Sequence, residues 1–151
     1  MISQNHMSRK GFTLIELLVV VAIVGLLSTI IIVAYGTSRT RARDAKRLSD
    51  MKQFGTALEL YNNDNNAYPI GTNIHLGSGN SACLNIDGWQ AAGCPDAYIG
   101  KVPTDPSPQA TPYIYNSSSG TTYTIDTTLE AKTNGLSGRI QQTPTGIIPA
   151  P

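Results

Sequence analysis

The stretch Phe12–Ser38, FTLIELLVVVAIVGLLSTIIIVAYGTS, decides how the rest of the chain is read. Its only acidic or basic side chain is Glu16, and Leu17 to Ala34 is eighteen residues without a charge. Phe12 to Tyr35 makes roughly 36 Å of helix, enough for a hydrocarbon core of about 30 Å. The sequence therefore predicts a membrane-spanning helix over 12–36. A secretory signal peptide also places a basic region, here Arg9 and Lys10, before an apolar core. That core is usually only about 7–15 residues long and ends in a small-x-small cleavage site, which Ile30 to Val33 does not supply.

Following the apolar run, Arg39, Arg41, Arg43, Lys46 and Arg47 form a basic stretch. Leu48, Met51, Gly55, Leu58 and Tyr61 then recur at spacings of three and four, with Asp50, Gln53 and Glu59 off the stripe. No proline precedes Pro69, so nothing forces an earlier break, and one helix is expected from Phe12 to Tyr61. The run Asn62-Asn63-Asp64-Asn65-Asn66 ends it, because Asn and Asp compete for backbone hydrogen bonds and tolerate left-handed geometry.

Whole-chain averages conceal this division. The 151 residues allow one domain, 14% are charged and the net charge is +1, which argues against a globally basic nucleic-acid binder. Yet the part up to Lys52 holds eight basic and three acidic residues, and the part from Gln53 holds three and seven. The second part is expected as a long ordered loop over 67–112, a β-hairpin over 113–133 and a tail over 134–151. The hairpin is read from Tyr113–Asn116 and Thr122–Leu129 around Ser117-Ser118-Ser119-Gly120. Tyr123, Ile125, Thr127 and Leu129 share one of its faces, expected to pack on the Leu48–Tyr61 stripe. A third strand near Gly138–Gln142 has no further support in the sequence. The fold class is α+β, a long N-terminal helix on a small antiparallel sheet.

A carboxylate at the head of an apolar run must be compensated. Thr13-x-x-Glu16 is a capping box, and taken alone that reading suffices. However, Lys10-Gly11-Phe12-Thr13-Leu14-Ile15-Glu16-Leu17 resembles the processing site of the type IV pilin and type II secretion pseudopilin family. A short basic leader ends in Gly, then comes Phe, then Glu four residues on, then a long apolar helix. The resemblance implies a leader over 1–11, cleavage between Gly11 and Phe12 by a prepilin peptidase at the cytoplasmic membrane face, and N-methylation of Phe12. It further implies homopolymerisation through the helix at an inner-membrane assembly platform, in contact with membrane lipid. Glu16 would then meet the Phe12 amine of a neighbouring subunit and set register.

The basic stretch Arg39–Arg47 has three readings: lipid head groups, acids of neighbouring subunits, or DNA in an uptake filament, the last without support in the sequence. A positive-inside count would put it in the cytoplasm, whereas the resemblance puts the leader there, and the residue pattern is the more specific signal. If the second part is exported, Cys83 and Cys94 lie in an oxidising compartment and form a disulfide. There is no Cys-x-x-Cys and His75 is the only nearby histidine, so no zinc site is expected, and no calcium set is recognisable around Asp105 or Asp126. His6 falls in the leader and His75, in a Gly-rich loop, is read as a solvent residue. No nucleophile with a matched base can be assembled, and no cofactor or catalytic residue is expected. Asn116-Ser117-Ser118 is a formal glycosylation sequon and a weak signal.

The expected function is a structural subunit, major or minor, of a pilus-like filament. It would be held in the membrane before assembly and be extracytoplasmic after it. A pseudopilin of a secretion or competence DNA-uptake system is the alternative within the family, and a single-pass anchored binding protein the alternative outside it.

Overall fold

The computed structural model describes residues 11–107 and 112–151, and at 30–34 it describes the backbone alone. The leader positions 1–10, with His6, Arg9 and Lys10, lie outside the described residues. Helix α1 runs Leu14–Asn65. It ends where the Asn run predicts: Asn66 turns left-handed at φ 54°, and its N–H donates to the Asn62 carbonyl at 2.8 Å. Two compact units divide the chain, one up to Ser38 and one from Arg39.

In the first unit the described apolar side chains from Phe12 to Leu27 are exposed, Phe12 at 77%. The two hydroxyls within the run are satisfied by the helix itself. Ser28 donates to the Val24 carbonyl and Thr29 to the Leu26 carbonyl, each at 2.7 Å, so neither needs an outside partner. Among the described residues no stretch of helix is long and apolar enough to cross a membrane. The uncharged run in the sequence continues five residues past Thr29, to Ala34.

The second unit contains the rest of α1 and seven strands: β1 Gly71–His75, β2 Cys83–Asn85, β3 Gly88–Gln90, β4 Ile114–Ser117, β5 Thr124–Thr133, β6 Leu136–Thr143 and β7 Gly146–Pro149. Five form an antiparallel sheet in the order β1-β4-β5-β6-β7, and β2 and β3 form a separate ribbon. The expected hairpin is the β4–β5 pair, with Tyr115 opposite Ile125. The segment expected as loop over 67–112 carries β1, β2 and β3, and the tail carries β6 and β7. The β2–β3 ribbon is too short for a sequence period and is held from outside: Ala82 N–H donates to the Gln90 carbonyl at 2.9 Å, and Leu84 bridges Ile99.

The sheet packs on α1 through Met51, Phe54, Ala57 and Leu58, which cluster with Tyr113, Tyr115, Tyr123 and Ile125. Leu48, Leu129 and Ile140 form a second cluster. The edge-to-face pairs Phe54–Tyr113 and Tyr68–Tyr123, with ring centroids 5.4 and 4.7 Å apart, lock the layers together. Glycine is required at position 120. Its φ is +74°, its carbonyl accepts from Tyr68 N–H at 2.7 Å, and a Cβ there would lie 3.2 Å from the Tyr68 carbonyl oxygen. Asp50 corrects the expected stripe. It is 1% exposed, because the buried face continues back through Arg47 and Asp44 and includes charged residues.

Candidate functional site

Two polar constellations on α1 stand out. At its start, the Glu16 carboxylate reaches back to Thr13. Its Oε2 accepts from the Thr13 N–H at 2.9 Å and from the Thr13 hydroxyl at 2.7 Å, while the Glu16 N–H donates to Thr13 Oγ1 at 3.2 Å. This is the capping box, closed in both directions. It occupies one carboxylate oxygen, and among the described residues Oε1 has no hydrogen bond. Gly11 and Phe12 precede the helix, exposed and outside regular secondary structure, one turn before the carboxylate.

The second constellation lies within the basic stretch. Arg47 is 1% exposed, and four of the five N–H donors of its guanidinium are engaged by carboxylates. Nε and Nη2 donate to Asp105 Oδ2 and Oδ1 at 2.7 and 2.8 Å, and Nη1 donates to Asp44 Oδ1 at 2.8 Å and to Glu130 Oε1 at 2.7 Å. Arg43 Nε donates to Glu130 Oε1 at 2.7 Å, and its Nη2 pairs with Oε2. Asp44 also accepts the backbone N–H groups of Glu130 and Ala131 at 3.0 and 2.8 Å, fixing β5 to the helix. Lys46 pairs with Asp50, which accepts the Tyr113 hydroxyl at 2.9 Å.

Proton affinities follow this geometry. Asp105, with Glu130 and Asp44 adding to it, raises Arg47 above its ordinary range despite burial, so the guanidinium stays charged. Arg43 first and Arg47 second push the Glu130 carboxyl down to about 2. Burial, then Asp50, raises the Tyr113 hydroxyl. Arg43, Lys46 and Arg47 are therefore each paired with acids of their own chain. A usable signal was present in the sequence: Asp44 and Arg47 at i,i+3 and Lys46 and Asp50 at i,i+4 are helix-surface neighbours. Asp105 and Glu130 could not be placed without the fold.

Cys83 and Cys94 are disulfide-bonded, with Cα atoms 6.4 Å apart. The bond ties β2 to the segment following β3. His75 is exposed at the end of β1. Among the described residues no group of three or more His, Cys, Asp or Glu side chains could hold a metal ion.

Comparison with known proteins adds to this geometry. Residues 6–32 match the family described as "Prokaryotic N-terminal methylation motif". The chain is similar to the type II secretion system core protein G of Pseudomonas aeruginosa, 32% identical over 112 residues, 71% of this chain and 72% of that protein. The protein of the same name from Escherichia coli is 33% identical over 98 residues, 65% of this chain and 66% of that protein. The one from Pectobacterium carotovorum is 35% identical over 66 residues, 44% of this chain and only 42% of that protein. No solved structure matches the chain.

Proposed function

The chain belongs to the type IV pilin and type II secretion pseudopilin family, and on that premise we propose that it is a structural subunit that polymerises into a filament through the first part of α1. A prepilin peptidase would cleave between Gly11 and Phe12, the new Phe12 amine would be methylated, and the uncharged helix would hold the subunit in the membrane until assembly. The observation that carries this reading is the exposed apolar side chains from Phe12 to Leu27, among which the only charge is Glu16. The second unit closes its own core from Leu48 onward, so that face is left for lipid or other copies of the chain.

Within this reading Glu16 has two successive tasks. Its Oε2 caps the helix through Thr13, and Oε1 is left for the cationic Phe12 amine of the next subunit. A buried charge pair of this kind sets register more than it adds stability. The intramolecular pairing of Arg43, Lys46 and Arg47 gives the basic stretch a task in the folded head, which supports placing the head outside the cytoplasm. The relatives' names favour a secretion pseudopilus over a surface pilus.

The test is Glu16→Ala in the full chain, followed by cysteine cross-linking along the helix in membranes. The variant is expected to insert as the wild type does and to lose the ladder of cross-linked oligomers. A normal ladder would reduce Glu16 to its capping role.

A further inference from the structure

A cleft of about 500 Å³ opens between the end of α1, β1 and the β2–β3 ribbon. Two aromatic rings, Tyr61 and Trp89, line it, and both are held in place from behind. Tyr61 packs edge-to-face on Tyr98, with centroids 5.7 Å apart, and Trp89 on Tyr115 at 5.2 Å. The Trp89 N–H is buried without an acceptor among the described residues, so ring packing rather than a hydrogen bond fixes the indole.

The only carboxylate lining the cleft is Asp87, and no lysine or arginine lines it. Asp87 is exposed and has no ion pair among the described residues. Its side chain accepts a single long hydrogen bond, from Asn85 Nδ2 at 3.4 Å, while its own N–H donates to Asn85 Oδ1 at 3.1 Å. Its charge reaches the aromatic wall: burial first, then Asp87, raises the Tyr61 hydroxyl above its ordinary range. The remaining polar side chains of the lining are His75, Ser78, Asn80 and Ser81, of which Ser81 Oγ is committed to the carbonyls of His75 and Ser78.

An uncompensated carboxylate beside two aromatic rings, with no lysine or arginine in the lining, repels anions and attracts positive charge through Coulombic and cation–π terms together. We propose that this cleft binds an organic ammonium group, either a free quaternary amine or the ε-ammonium of a peptide lysine. The site is formed entirely by the second unit.

Trp89 is the chain's only tryptophan, so its fluorescence reports on this cleft alone. The full chain in a polyoxyethylene detergent would be titrated with choline chloride and, separately, with Nα-acetyl-lysine amide. The uncharged isostere 3,3-dimethylbutan-1-ol and sodium chloride serve as controls. A saturable change is expected with at least one ammonium probe, in about the millimolar range, and which probe saturates distinguishes the two sources. Asp87→Asn, which keeps the side-chain shape, should weaken that binding about tenfold while leaving the far-ultraviolet circular dichroism of the ligand-free chain unchanged. The proposal is overturned if neither ammonium probe saturates, if the uncharged isostere matches choline, or if Asp87→Asn binds as tightly as the wild type.

Discussion

Arg47 grips Asp105 with two parallel hydrogen bonds, 2.7 and 2.8 Å, across 58 residues of sequence. The fork of the guanidinium matches the carboxylate, and the same side chain also reaches Asp44 and Glu130, so one helix residue fixes both the segment before β4 and the far end of β5. The basic stretch, which from charge alone looks like a collar for lipid, thereby becomes the polar joint of the head.

Arg47→Ala should destabilise the head by about 3–5 kcal/mol, because it leaves Asp44 and Asp105 buried without a cation. Arg47→Lys should recover only part of this loss, since an ammonium cannot form the bidentate pair. Chemical denaturation of the full chain in detergent, followed by Trp89 fluorescence, measures both. An unchanged midpoint for Arg47→Ala would show that the joint carries no stability.

The pH dependence follows from Glu130. Its carboxyl titrates near pH 2 in the folded chain, against about 4.3 unfolded. A depressed folded value adds stability that is fully present above about pH 4.3 and is lost as pH falls towards 2. Glu130→Gln should therefore be less stable than the wild type at pH 6, and the gap should close by about pH 2. At the alkaline end the sign reverses. Burial raises Tyr68 and Tyr123 to about 12, so their contribution is present below about pH 10 and is lost as pH rises through 12. Denaturation midpoints across both windows test these signs.

Reduction of Cys83–Cys94, or the double change to Ser, should cost about 2–3 kcal/mol by loop closure over a separation of 11 residues. The loss should appear first as faster amide exchange in β2 and β3, the ribbon that the bond closes. Exchange unchanged in the ribbon and faster elsewhere would contradict that localisation.

How much could be read beforehand depended on whether the signal was local. The end of α1 was legible because five Asn and Asp residues in a row act on their own backbone. The inward face of β5 was legible because Tyr123, Ile125, Thr127 and Leu129 alternate, and all four are buried. The capping box was legible because Thr13 and Glu16 are three residues apart. By contrast, β1, β2, β3 and β7 are three to five residues long, too short for a period to show, and the partner of β1 is the distant β4. Asp50 was misplaced on the solvent face because hydrophobic patterning cannot anticipate a carboxylate buried by Lys46 and Tyr113. The network around Arg47 is hidden for the same reason: two of its three acids are Asp105 and Glu130, which only the fold brings to the helix.

The central claim, a processed filament subunit, is tested most directly by the mass of the N-terminal peptide of the protein recovered from membranes or sheared filaments. The account predicts a chain beginning at Phe12 and carrying a methyl group on its amine. A peptide still beginning at Met1 and running uncut through Gly11-Phe12 would contradict it.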